Sequence, residues 1–471
     1  MLGLHVRFTR DQFFARAAAV VPSALALTAA RPSFAGLLES APPRFRSAPA
    51  LDPPRVHVLN APDMTAPGYI FISNTNGERQ PGPMIIDDDG ELVWFLPRPG
   101  LTVMNFNAHT LGGQRVLAWW EGALQGSHGA GEFVILGTDY RELTRVRAGD
   151  GLVTDFHEFS ITPRDTALLV AYNDDGALLD SVVQEIEIAS GDVLFEWRAT
   201  DHIALDESYV TPTTGSYDFA HLNAAAVDDG GLLISSRHAW TVYRVDRTTG
   251  EIVWRLGGKK SDFAVAEDAA FAWQHHARKH ADGTITVFDN GAGVAQTEPY
   301  SRGLRLSLDE KAGSASLVQE LPHPEHLLAS AMGSMEPLDD DGAFVGWGSV
   351  PRFSEFRPDG TLRFDAGYPG GGFTYRAFRR AWVAQPPGAP AFAVASVRGE
   401  PSGYASWNGA TAVTHWRLRA GATKTALAAR QVVAKRSFET RLRLDSADRF
   451  AAVDALDARG GVVGRSAVVR I

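Results

Sequence analysis

Six times along the chain a polar turn interrupts an alternating apolar run, and this repeat restricts the possible folds more than any other feature. The copies read DDDGELVWFLP (Asp87–Pro97), TDYRELTRVRAG (Thr138–Gly149), IASGDVLFEWRA (Ile188–Ala199), RTTGEIVWRLGG (Arg247–Gly258), DEKAGSASLVQEL (Asp309–Leu321) and RPDGTLRFDAG (Arg357–Gly367). Small polar residues at a turn, flanked by period-two apolar residues, are the mark of a β-hairpin. Helical periodicity is scarce after residue 55. The turns recur about every 47 to 63 residues, the spacing of propeller blades of about 40 to 50 residues with room for loops.

A second segment recurs between the turns. It reads NFNAHT, DFHEFS, FAHLNA and WQHHAR, then GSMEPL, each followed by an apolar strand such as RVLAWW, ALLVAY, GLLISS, TITVFD or AFVGWG. An outer hairpin alternating with an inner strand pair predicts an all-β chain: a six-bladed β-propeller over residues 61–383, with GYIFISN and YRAFRRAWV closing the ring. Residues 36–60 read as an N-terminal linker and the Pro-rich 384–391 as a second one. Residues 392–471 are expected to form a small immunoglobulin/fibronectin-like β-sandwich, with Trp407, His415 and Trp416 as core or interdomain packing.

The first 35 residues have the layout of a cleavable signal peptide. Arg7, Arg10 and Arg16 precede an Ala-rich apolar stretch from Ala17 to Ala30, and Ser33-Phe34-Ala35 offers a small-residue cleavage site. TRDQFF resembles a twin-arginine signal with Asp11 in place of the second arginine, so the export route stays open. The expected location is periplasmic, cell-surface or secreted. The apolar stretch is short for a bilayer and no later one approaches a span, so no transmembrane helix is expected. The chain has no cysteine, which excludes disulfides, thiolate metal sites and a thiol nucleophile. Net charge is −10 with no basic run, which argues against nucleic acid as a partner.

Residues at one level of successive blades converge on the central channel of a propeller. Four segments put a histidine at that level: His109, His157, His221, and His275 or His276. Such a cluster can bind metal, move protons or act as a nucleophile. Neighbouring strand residues face opposite ways, so only one of His275 and His276 should join the others. Arg237 and His238 follow in ISSRHAW, Asp289 and Asn290 in VFDNG, and Arg302 in YSRG. An arginine among imidazoles favours a tetrahedral oxyanion, because its fork binds two oxygens, and repels a metal ion. No metal site is therefore assigned. The competing structural readings are histidines that satisfy backbone groups and an Arg237–Asp246 salt bridge. Aromatic residues near the mouth, Trp119, Trp120, Tyr172, Trp240 and Trp347, could sandwich a ring. Trp94, Trp197 and Trp254 recur on outer hairpins and read as packing between blades; the two DDDG stretches read as turns. LGGKKS lacks the spacing of a phosphate-binding loop.

SYDFAHLNAAAVDDGGLLISSRHAWTVYRVDRTTGEIVWRLGGKKSDF, then FAWQHHARKHADGTITVFDNG, with DFHEFSITP upstream, resemble the arylsulfotransferase family of six-bladed propellers, in its shorter branch. The resemblance runs over about residues 60 to 383 and implies sulfuryl transfer from an aryl sulfate to a phenolic acceptor through a sulfohistidine, with no nucleotide donor and no cofactor. It implies His275 as nucleophile, His221 and Arg237 as the sulfate-binding pair, and His157 as a further channel histidine. His109, His276, Asp289, Asn290, Arg302, Trp120 and Tyr172 are weaker substrate-binding candidates. Departures are the lack of cysteine, His276 where an acidic residue is expected, and the missing extra N-terminal domain of longer relatives. Two other functions compete: a metal-dependent lyase or hydrolase using the channel histidines, and a non-catalytic secreted binding or scaffold propeller.

Overall fold

Alternation of apolar and polar residues in short runs, each ended by Gly, Asp or Asn, produces a chain whose regular structure is nearly all strand in a computed structural model. The structure describes residues 44–77, 79–368, 372–397 and 399–471. The signal-like segment, residues 1–35, lies outside them. Among the described residues, no helix is long and apolar enough to cross a membrane.

Six antiparallel meanders follow one another. The first holds Tyr69–Asn74, Gly82–Ile86 and Leu92–Phe95; the second runs from Thr102–Leu111 to Glu142–Val146 and the third from Val153–Ile161 to Val193–Arg198. The fourth runs from Leu222–Asp228 to Ile252–Gly257, the fifth from His275–Lys279 to Ser314–Pro322, and the sixth from Ser334–Pro337 to Leu362–Gly367. All six repeated turns join the last two strands of a meander. In the first, Asp87 Oδ1 accepts from the backbone N–H of Asp89 and Glu91 at 3.1 and 2.9 Å, so that aspartate shapes a turn.

The first and last sheets exchange strands. Phe378–Arg380 pairs with Tyr69–Asn74, and His57–Asn60 pairs with Leu362–Gly367. His57–Asn60 falls in the segment read as a linker; it is short and mostly exposed, so it lacks the apolar alternation that marks a strand.

Hydrogen bonds link each sheet to the next near the first strand of each meander. Arg380 donates to Asn107 (3.1 Å), Asn105 to the carbonyl of Phe156 (3.2 Å), and Ala225 N–H to Glu158 (3.2 Å). Asn223 donates to the carbonyl of Gln274 (2.7 Å), His276 Nδ1–H to that of Met335 (3.0 Å), and Ser334 to that of Ala377 (3.0 Å). Together these join the first sheet to the second and so on round to the sixth and the first. Outer tryptophans add contacts: Trp94 stacks on Tyr140 at 4.9 Å, and Trp197 donates to the carbonyl of Gly250 at 2.9 Å. A buried charge network ties distant segments together. Glu158 meets Arg376 at 3.2 Å and Arg278 at 2.7 Å, and Arg376 also donates to the carbonyls of His157 and Asn223.

The C-terminal residues form two sheets. One holds Ala391–Val397, Glu400–Ser406 and Thr440–Arg443; the other is built on His415–Thr423, Ala426–Ala434, Phe450–Leu456 and Val462–Arg465. They share one apolar cluster that includes Trp407, Trp416, Leu442 and Val453. His415 does not belong to that core: it is exposed, because it alternates with buried Trp416. Asn408 fastens these sheets to the first meander by accepting from Phe95 N–H (3.0 Å) and donating to its carbonyl (2.9 Å).

Candidate active site

The inner strand pairs of the second to fifth sheets each carry a register shift at the level of the recurring motif: between Met104 and Asn107, Leu169 and Ala171, Leu222 and Ala224, and His275 and Arg278. Bulges of this kind re-aim side chains and are common beside active sites. Left-handed backbone at non-glycine residues collects in the same region: Asn105, His221, Trp240, Trp273, His276 and Met332 have φ between 51° and 65°. Each such residue costs on the order of 1 kcal/mol or more, so the surrounding packing must impose it.

His157, His221 and His275 come together with Arg237. The rings of His157 and His221 meet edge to face at 4.6 Å, and His221 stacks on His238 at 4.7 Å. Tyr375 packs against His157 at 5.7 Å and His275 at 6.5 Å, and Tyr172 lies 6.2 Å from His157 and 6.4 Å from His221. Burial, then the Arg237 charge, holds His275 well below the usual imidazole range, so the ring is neutral near pH 7.

Hydrogen bonds select the tautomers. Asn290 spends both amide hydrogens on the carbonyls of Ala329 (2.9 Å) and Met332 (3.0 Å), so its Oδ1 must accept from His275 Nδ1–H at 2.7 Å. The carbonyl of Trp273 accepts from the same Nδ1–H at 3.1 Å. His275 Nε2 therefore carries the lone pair, and it accepts the backbone N–H of Met332 at 3.1 Å. His221 Nδ1–H donates to Asp218 Oδ2 at 2.6 Å, and His157 Nδ1–H donates to Asp155. His157 and His221 thus also keep the lone pair on Nε2. Burial alone would raise Asp218, but His221 and His238 outweigh it and hold the carboxylate below its ordinary range.

Arg237 makes no ion pair with Asp246, whose carboxylate instead accepts from the turn N–H groups of Thr248 and Thr249. Its guanidinium donates to His238 Nε2 (3.0 Å) and the carbonyl of Ser330 (2.9 Å), and sits 5.1 Å over the Trp273 ring. Its Nε–H is buried without a partner among the described residues. Burial lowers Arg237 to about 10, which still leaves it charged at neutral pH. A buried, unpaired donor on a cation beside neutral imidazoles suits an oxyanion.

Several candidates lie elsewhere. His109 packs on Phe159 and is lowered to about 3 by burial and then by Arg380; it sits further along its strand, beyond the bulge. His276 is buried too, but it binds the carbonyl of Met335 and packs on Phe378 at 5.5 Å. The bulge after His275 hides both members of the pair while sending them to different neighbours. Asp289 pairs with Arg302 at 3.0 Å, and Arg302 also reaches Glu320, which makes a structural ion network. Trp120 is core, donating to the carbonyl of Thr154 at 3.2 Å, and Trp119 and Trp347 are likewise fully buried. Asp218 and Tyr375 escaped the sequence reading. Asp218 carried a readable signal, an Asp three residues before His221; Tyr375 lies 218 residues from the His157 carbonyl it binds and carried none.

Asp218, His221 and His238 also stand close enough to share one metal ion, each offering a ligand atom within 4.8 Å of the others. Arg237, bonded to His238, opposes a cation there.

Comparison with known proteins bears on which chemistry applies. No curated protein matches the chain. Among solved structures, a protein of unknown function from Bacteroides caccae is 13% identical, with a TM-score of 0.43, and the match covers 66% of this chain and 98% of that one. TolB from Acinetobacter baumannii is 15% identical, with a TM-score of 0.39 and 66% of each chain covered. A streptogramin B lyase is 13% identical, with a TM-score of 0.36, covering 66% of this chain and 87% of that one. Residues 107–368, more than half of the 471, match the family model described as arylsulfotransferase (ASST), and that span holds every histidine and arginine of the cluster: the chain belongs to the arylsulfotransferase family.

Proposed function

We propose that the chain transfers a sulfuryl group from an aryl sulfate to a phenolic acceptor through a sulfohistidine on His275, without a nucleotide donor. The observation that carries this reading is the Asn290 clamp, which leaves His275 Nε2 as the lone-pair nitrogen beside Arg237. In the first step Nε2 bonds to sulfur as the S–O bond to the aryl oxygen breaks, and the phenolate leaves with the electron pair. Substrate displaces the Met332 N–H from Nε2, and that N–H then becomes a donor for a sulfuryl oxygen. Arg237 Nε–H holds a second oxygen and His221 a third, the latter through Nε2–H in its protonated form, since its Nδ1–H stays on Asp218. In the second step the acceptor oxygen bonds to sulfur, the N–S bond breaks, and the acceptor proton passes to Nε2 of His157. Positioning and charge stabilisation supply the rate, as for other loose transfers.

The same reading takes the six meanders as one closed six-bladed β-propeller, supported by the run of sheet-to-sheet hydrogen bonds and the strand exchange. It takes the two C-terminal sheets as a β-sandwich and residues 1–35 as an export signal. Intact-protein mass after incubation with p-nitrophenyl sulfate tests the chemistry. The expected result is a gain of one SO3 in the wild type and none in His275→Ala. A wild type that neither gains mass nor releases nitrophenol across a broad phenol panel sinks it. The Asp218–His221–His238 group favours a second reading, a metal-dependent lyase or hydrolase; stoichiometric divalent metal in purified protein with chelator-sensitive activity would select it.

A further inference from the structure

His157 and His221 each lean on an aspartate, but the two aspartates are held differently. Asp155 is fully buried, and among the described residues its only ion-pair partner is His157. Its Oδ1 accepts both the backbone N–H of His157 at 2.8 Å and the ring Nδ1–H, so one atom fixes the imidazole against its own main chain. Its Oδ2 accepts the N–H of Gly129 at 2.7 Å. Gly129 comes from the hairpin between Gln114–Gln125 and His128–Leu136, and only glycine brings its backbone so near: a Cβ there would lie 2.6 Å from the Trp120 ring and 2.9 Å from that of Phe156. Asp218 is partly exposed and shared. Its Oδ2 accepts from His221 Nδ1–H at 2.6 Å and from the exposed Ser127 hydroxyl at 3.2 Å, and its Oδ1 lies 3.9 Å from His238 Nδ1.

The carbonyl of His157 is committed too, accepting from the Tyr375 hydroxyl at 3.0 Å and from Arg376 at 2.9 Å. That leaves Nε2 as the one polar atom of His157 without a partner among the described residues. In the transfer proposed above, His221 holds a sulfuryl oxygen through Nε2–H and has no lone pair for a proton. His157 has one, and it has a carboxylate of its own to neutralise the imidazolium it becomes. We propose that Asp155 is the positioning residue that reserves His157 for the acceptor proton, so that the two dyads divide the work: Asp155–His157 moves the proton and Asp218–His221 holds the sulfuryl group. This rests on the transfer reading. As the acceptor oxygen bonds to sulfur, its proton passes to His157 Nε2, and the electrons of the breaking N–S bond return to His275 Nε2. When nitrophenolate leaves in the loading step no proton moves, so Asp155 has no part in it.

The test separates the two half-reactions in wild type and D155N. Loading is read as the nitrophenol burst from p-nitrophenyl sulfate with the gain of one SO3 in mass; discharge is read as the loss of that mass on adding phenol. The amide in D155N has no charge to set against an imidazolium, and it cannot accept from all three N–H donors at once. We expect D155N to load within about threefold of wild type but to discharge to phenol about a hundredfold more slowly, the low end of what a positioned base contributes. In the wild type, discharge should also slow in D2O while loading does not. A D155N that discharges as fast as wild type overturns the inference. So does one with an unchanged urea midpoint that loses both half-reactions alike, as a merely structural role predicts. If D155N does not fold, the wild type decides: equal discharge rates in H2O and D2O overturn the inference, and a slowing confined to discharge supports it. A wild type that takes up no SO3 overturns the transfer reading, and this inference with it.

Discussion

Arg237→Lys probes the proposed oxyanion clamp with little change in charge. Of the arginine's hydrogen-bonding groups, one reaches His238 and one the carbonyl of Ser330, while Nε–H is buried and free. Charge-assisted hydrogen bonds contribute about 1.5 to 3 kcal/mol each. Lysine keeps a positive charge but has no planar fork, so it should lose the Nε–H bond to the sulfuryl group, about 3 kcal/mol at the upper end of that range. At about 1.4 kcal/mol per decade, that is a fall of about a hundredfold in the rate of nitrophenol release at limiting p-nitrophenyl sulfate. The cation–π contact with Trp273 is about 0.5 to 2 kcal/mol, so some of the change will also appear as lower stability. Measuring kcat/KM together with the urea midpoint separates the two. A variant that transfers within threefold of wild type, with an intact fold, would refute the argument that Arg237 binds the reacting group.

Three further outcomes follow from the same geometry. Asp218→Asn removes the carboxylate that orients His221 through Nδ1 and should slow transfer about tenfold to a hundredfold, the usual cost of a lost orienting partner; an unchanged rate would show that His221 needs no anchor. Glu158→Gln leaves Arg376 and Arg278 without their buried counter-charge and should destabilise by about 3 to 5 kcal/mol, read as a lower urea midpoint; no shift would mean that the central network contributes nothing. His109, His221, His238, His275 and His276 all have folded pKa values depressed by burial, His109 and His238 to about 3. The unfolded chain therefore binds more protons below the ordinary histidine value. Stability is fully present above about pH 6.5 and declines on acidification towards pH 3, by up to about 1.4 kcal/mol per pH unit for each histidine. A melting temperature that stays flat between pH 7 and 5 would contradict these depressions.

The turns were legible because hairpin chemistry is local: each Gly or Asp signal falls between the last two strands of a meander. One motif repeated in successive sheets singled out His157, His221 and the His275–His276 pair as candidates; Arg237 lies outside that repeat, and the choice of His275 rested on the family resemblance. Strand alternation alone could not separate His275 from His276, since a bulge breaks the period at that point. What was hidden depends on distant segments. The loop from Ala329 to Met332 holds Asn290, Arg237 and His275 through backbone atoms, and backbone contacts leave no trace in side-chain pattern. Asp289 and Arg302 looked like site residues by their position in the sequence, yet each satisfies the other.

The strand exchange between the first and last sheets sets a timetable for folding. Arg379 reaches the carbonyl of Gly68 across 311 residues, and Phe378–Arg380 supplies the inner edge of a sheet whose other strands emerge from the ribosome long before it. Until then the nascent first sheet has an unpaired edge, and the sixth waits for a strand already made. Such distant pairings make folding slow and concentrate it late, because loop closure must precede any reward. A chain interrupted before residue 378 would leave an adhesive edge rather than a smaller stable protein, so truncation at this end should yield aggregation or degradation instead of a five-sheet remnant.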